Sequence, residues 1–169
     1  HADRLQQGVL AYLFLGRLLI HPDGFGSHPA FQGLGESVID TSELYYDGNS
    51  QGGIMGGVLM AVAQDFTKGV LGVTGMNYSC LLQRSVDWDG YRSIYEPSYE
   101  KPIEAALGIQ IMQLLWDRGE ANAYAARMTD DPLPDTPPHK VLLHVAFGDH
   151  QVAPACAEIK ARTVGAKMH

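Results

Sequence analysis

The stretch Leu44-Tyr45-Tyr46-Asp47-Gly48-Asn49-Ser50-Gln51-Gly52-Gly53-Ile54-Met55-Gly56-Gly57-Val58-Leu59-Met60-Ala61-Val62 decides the fold. An aromatic and apolar run, a cluster of small residues centred on a serine, and a small-residue helical pattern predict strand, sharp turn and helix. Ser42 to Asp47 favours a strand, and Gly52 to Phe66 is small or apolar with no proline to interrupt a helix. Gly48-Asn49-Ser50-Gln51-Gly52 fits G-x-S-x-G, in which glycines flank a nucleophile whose backbone is strained and crowded. Such a turn lifts the serine hydroxyl above the sheet edge. The following helix turns its unpaired N-H groups and positive dipole end toward any oxyanion formed there. The same turn could instead be purely structural, or cradle a phosphate. Against the phosphate, no lysine or arginine lies between Pro22 and Phe66.

Outward from this turn, 169 residues with 46% hydrophobic content suit a single α/β domain over 1–169. A net charge of -7, with its few basic residues scattered, argues against nucleic acid and against an anionic membrane surface as partners. Cys80 and Cys156 form no metal-type spacing; they read as buried free thiols in preference to a disulfide. No cofactor and no metal is implied. Leu5, Val9, Tyr12, Leu13 and Gly16 predict an N-terminal buried or half-buried helix, and the apolar run 9–20 is too short for the ~20 residues of a bilayer span. His21 and His28 read as loop histidines.

Beyond the serine turn, 69–75 predicts a short buried parallel strand. Residues 76–138 form a helical and loop insertion. Its first part, 76–99, lacks steady periodicity and carries Tyr78, Trp88, Tyr91, Tyr95 and Tyr99, which either wall a substrate pocket or cover the sheet edge as core. Pro102 opens a helix with Ile103, Ala106, Leu107, Gln110, Ile111, Leu114 and Leu115 as its apolar face, and a second helix is expected over 121–128. Lys140 to Phe147 predicts a buried strand with His144 as a core histidine, and 154–164 a helix stopped by Gly165. Asp149 then stands at a strand's C-terminal end, the edge where open parallel sheets bind ligands.

The unit around Ser50 and the later strand ending in Gly148-Asp149-x-x-Val152 together resemble the second half of the α/β-hydrolase fold. The run Tyr46 to Gly57 is similar to that of large bacterial hydrolases. The resemblance implies a partial hydrolase-like parallel sheet of about three strands flanked by helices. It makes Ser50 the nucleophile, Asp149 the triad acid and the Gln51 N-H one arm of the oxyanion hole, acting on a small-molecule ester or amide. The methionines and tyrosines tilt this toward an ester. The family places its histidine after the acid, where only His150 and His169 remain. His150 adjoins the acid and is poorly placed to be oriented by it, which leaves His169. The strands that precede the serine turn in a full hydrolase have no room in residues 1–41, so the chain reads as a fragment, inactive or weakly active alone. An exposed sheet edge, and with it a homo-oligomer, is then expected. The competing expectation is a non-catalytic α/β module that self-associates through that edge.

Overall fold

A computed structural model describes residues 2–168. At its centre three short strands, β3 (Tyr46–Asn49), β4 (Lys68–Gly72) and β5 (Lys140–His144), form a parallel sheet in the order β3-β4-β5. Helices flank it, so the fold is mixed α/β. The register aligns the strands' ends: Asn49 pairs with Gly72, and Gly72 with His144. All three chains therefore leave the sheet at one edge. Ahead of the sheet come α1 (Ala2–Ile20) and a two-residue-per-strand hairpin of β1 (Gln32–Gly33) and β2 (Glu36–Ser37).

The connection from β3 to β4 is α2 (Gln51–Val62), almost wholly apolar and the most buried helix of the fold. It sits close to the sheet because Gly53 carries no side chain: a Cβ there would lie 2.0 Å from the Gly72 carbonyl oxygen. Met60 and Ala61 of α2 join Phe66, Leu71, Ala121, Ala125 and Met128 in the main core, with Leu13 of α1 against its margin. The hydrophobic spacing of α1 is met at Leu5, Val9, Leu13 and Gly16, which are half-buried or buried, whereas Tyr12 is exposed.

Several expectations are corrected between β4 and β5. Residues 76–99 are not a loop but carry two short helices, α3 (Tyr78–Arg84) and α4 (Trp88–Tyr95). Neither is long enough for its periodicity to stand out from the sequence. The expected helix over 121–128 is two 3-10 turns, Ala121–Ala123 and Ala125–Arg127. The helix α5 (Pro102–Trp116) is where proline and spacing put it, but it docks by the opposite face. Ala105, Ile109 and Gln113 are buried, while Ile103, Leu107, Ile111, Leu114 and Leu115 are exposed.

The last strand is also corrected. β5 ends at His144, not Phe147, and lies at the sheet's margin, with Val141 and Leu143 half-buried and Leu142 60% exposed. Its apolar run reflects strand propensity without burial on both faces. His144 is accordingly exposed at the strand's end, and the buried histidine is His139, whose Nε2 lies 3.1 Å from the Ala63 carbonyl oxygen. The chain closes in α6 (Pro154–Thr163), after which Gly165 adopts φ 69°.

Candidate functional site

Ser50 stands between the last residue of β3 and the first of α2 with φ 56° and ψ -117°. A non-glycine residue in that region carries about 1–3 kcal/mol of strain and persists only where its surroundings enforce it. Here the enforcement is visible. The Ser50 N-H donates to the Gly72 carbonyl (2.9 Å) and its carbonyl accepts from the Ile54 N-H (2.9 Å). Gly48 must lack a side chain, because a Cβ would meet the Tyr46 hydroxyl at 2.5 Å and the Gly52 carbonyl oxygen at 2.6 Å. Tyr46 in turn donates its hydroxyl to that Gly52 carbonyl at 2.7 Å. Gly52 itself is less constrained than its motif position suggests, with nothing closer to a Cβ than 3.7 Å. Serine is a favoured helix cap, yet the Ser50 side chain makes no capping bond to α2. Among the described residues the Ser50 hydroxyl has no hydrogen-bond partner, and the residue is exposed.

Positive φ recurs along this edge: Val73 follows β4 with φ 49°, and Gly148, a residue that adopts it without strain, lies in the turn after β5 with φ 71°. Beside the Ser50 turn lies a cavity of about 740 Å³. Ser50, Gln51 and Ile54 form its floor, Gln151 and Val152 one rim, and α3, α4 and α5 the wall. Of the five aromatics in 76–99, Tyr78, Trp88, Tyr91 and Tyr95 line it. None of the four is fully buried, and Tyr78 also packs against the core cluster of Ile54, Leu81, Val152 and Cys156. Tyr78 meets Trp116 of α5 edge-on at 5.3 Å, and Tyr95 donates its hydroxyl to the Ala105 carbonyl at 2.6 Å, which ties α4 to α5.

Asp149 lies in the turn after β5. Its Oδ1 accepts from the N-H groups of Gln151 (2.7 Å) and Val152 (2.9 Å), an Asx-type arrangement that shapes the loop. Through those two residues the loop reaches the cavity rim, although Asp149 itself is not among the lining residues. The structure thus brings the Ser50 turn and the Asp149 loop to one cavity. Among the described residues no histidine lines it or hydrogen-bonds to Ser50. His21 and His28 cap their own loops through Nδ1, His150 is exposed, and His169 lies outside the described residues.

Below the floor is a polar layer that sequence reasoning missed. Lys160 of α6 is fully buried, and its Nζ donates to Thr74 Oγ1 at 2.6 Å. Thr74 donates onward to the Gly53 carbonyl at 2.6 Å, so the first turn of α2 rests on this pair. Burial pulls the Lys160 ammonium down to about 8, opposed by the field of Glu120. Glu120 is itself buried, accepting from Gln113 Nε2 (2.5 Å) and from the N-H groups of Asn122 (3.1 Å) and Tyr78 (3.2 Å). Desolvation nevertheless raises its carboxyl above the ordinary range. The one signal available for Lys160 was its position: with Cys156, Ala157 and Val164 it falls on the inward stripe of α6.

Among the described residues no group of three or more His, Cys, Asp or Glu side chains is arranged to hold a metal ion, and no helix is long and apolar enough to cross a membrane. No protein-family model, no curated protein and no solved structure matches the chain.

Proposed function

We propose that this chain carries the nucleophile end of a serine hydrolase of acyl-transfer type, acting on an ester or amide. The observation that carries the proposal is the Ser50 backbone, strained at φ 56° between strand and helix with its hydroxyl uncapped beside an aromatic-walled cavity. Ser50 Oγ attacks the substrate carbonyl carbon, and its proton passes to a histidine base. The oxyanion of the tetrahedral intermediate is held by the Gln51 N-H and the positive end of α2. Collapse expels the alcohol or amine with that proton, and water then releases the acyl group by the same route. Asp149 is the acid that orients the base, its Oδ1 occupied by the loop and Oδ2 left for the imidazole. The base is assigned to His169 by chain order alone. The apolar and aromatic wall of the cavity suits an acyl chain better than a peptide.

The test is covalent labelling with a fluorophosphonate. The wild-type chain is expected to take one label at Ser50, Ser50→Ala to take none, and Asp149→Asn to label at least ~10-fold more slowly. Labelling that persists in Ser50→Ala sinks the proposal.

A second function is favoured by a separate observation: among the described residues neither β3 nor β5 pairs with a further strand on its outer side. In this reading the module is non-catalytic and a second copy of the chain adds to an edge.

A further inference from the structure

Cys80 of α3 and Cys156 of α6 are separated by 76 positions in the chain, yet their Sγ atoms lie 3.0 Å apart. Neither is bonded to the other. We propose that Cys80 and Cys156 are a redox pair that closes to an intramolecular disulfide on reaction with a low-molecular-weight disulfide of the glutathione class, locking the cavity wall to α6. Three features carry this. The thiols already touch, so a bond of about 2 Å needs the helices to close by only about 1 Å. The two sulfurs differ in access: Cys156 is fully buried, whereas Cys80 is half-buried and can meet a small disulfide. Finally, Arg84 Nη1 lies 3.2 Å from Cys80 Sγ and sets a positive charge beside the accessible sulfur.

The roles follow from that asymmetry. Cys80 attacks one sulfur of the external disulfide RSSR; the Cys80–SR bond forms, the S–S bond of RSSR breaks, and one RSH leaves with the proton lost by Cys80. Cys156 then attacks Cys80 Sγ, displacing the second RS group, which takes the Cys156 proton. Two protein thiols are oxidised and one RSSR is reduced to two RSH. The Cys156 thiol is pushed up to about 12, chiefly by burial and then by its contact with Cys80, which makes it the resolving partner and not the first attacker. The link matters to the site because Leu81 and Leu82 of α3 line the cavity, and Val152 on the opposite rim leads directly into α6. Met76, just before α3, already donates its N-H to the Cys156 carbonyl at 3.1 Å. Oxidation therefore fixes the width of the cavity between the wall and the loop that carries Asp149.

The experiment is incubation of the whole chain with oxidised glutathione, followed by thiol counting after denaturation, intact mass, and non-reducing peptide mapping. The expected result is loss of both thiols and of two hydrogens of mass, a single peptide cross-link joining Cys80 to Cys156, and a melting temperature higher by about 10 °C that a reductant reverses. Cys80→Ser should retain its one thiol through the same treatment, while Cys156→Ser should stop at the glutathione adduct on Cys80. Wild-type protein that keeps both thiols, halts at the adduct, or links only between chains overturns the proposal. Because the wild-type chemistry is read directly, misfolding of either variant leaves the outcome decisive, and none of the readouts depends on hydrolase activity.

Discussion

At the scale of the residue, two adjacent glycines of the serine turn do different work. Gly53 is held against the Gly72 carbonyl, where a methyl would meet backbone at 2.0 Å, while a methyl on Gly52 meets only the Tyr46 hydroxyl at 3.7 Å. Gly53→Ala must push α2 off the sheet and is expected to cost about 3 kcal/mol, the upper range for overpacking. Gly52→Ala, at a helical position, should change stability by less than ~1 kcal/mol, in the stabilising direction. Urea denaturation of the two variants checks both, and equal losses would contradict the close approach. G-x-S-x-G in the sequence marks Gly52 and passes over Gly53, since a pattern records which residue is present and not which atom it faces.

Lys160 offers a second residue-scale prediction. Its folded-state value near 8 lies below the ordinary 10.5, so between these limits the unfolded chain holds a proton that the folded chain has lost. Stability contributed by this group therefore rises with pH above 8. Cys156 has the opposite sign, since its folded value near 12 exceeds the ordinary 9.0, and stability is lost as pH climbs past 9. The clean window is pH 8 to 9. Across it the wild type should gain about 1 kcal/mol relative to Lys160→Met, measured by urea denaturation at each pH. A flat difference would mean that the lysine is not buried as described.

At the scale of the element, α2 was legible and α5 was not, for one physical reason. The pattern of α2 is apolar on all sides, so no choice of face could be wrong. In α5 the strongest apolar stripe, Ile103, Leu107, Ile111 and Leu114, lies exposed, and the helix is anchored by Gln113. That side chain accepts from the Ser79 N-H at 2.8 Å and donates to Asp117 and Glu120 at 2.6 and 2.5 Å. A buried polar network stabilises only when each member is satisfied, and helical spacing carries no information about the Ser79 N-H, 34 positions away. Gln113→Met keeps the volume but strands the Ser79 N-H and removes one donor each from Asp117 and Glu120, and a loss of about 2 kcal/mol is expected. Ile111→Gln, on the exposed stripe, should stay within ~0.5 kcal/mol. Reversed magnitudes in thermal or urea unfolding would restore the stripe as the docking face. The same logic applies to the candidate site: the turns at Ser50 and Asp149 were legible as turns because tight turns carry local sequence signals, whereas the wall of the cavity depends on how α3, α4 and α5 meet.

At the scale of the whole molecule, the proposal of self-association rests on the sheet's edges. Among the described residues no strand pairs with the outer edges of β3 and β5, and Leu142 on β5 adds an exposed apolar side chain there. Such an edge templates strand addition unless charge or proline blunts it. Lys140 is the only charged residue of β5, at its first position, and leaves the remainder unguarded. Opposing association is the net charge of -7, which repels a second copy over roughly the Debye length of ~10 Å at 0.1 M salt. Edge pairing is short-ranged and survives salt, whereas the repulsion does not. The mass measured by light scattering is therefore expected to rise with protein concentration, and to rise further as salt is raised. Leu142→Lys places a charge in the middle of the edge and should return the chain to a monomer at every salt concentration. The substitution lies at a 60% exposed position, so folding should be unaffected and circular dichroism should match the wild type. If the wild type stays a monodisperse monomer at high salt, the free edges do not drive association, and the non-catalytic reading loses the observation that favours it.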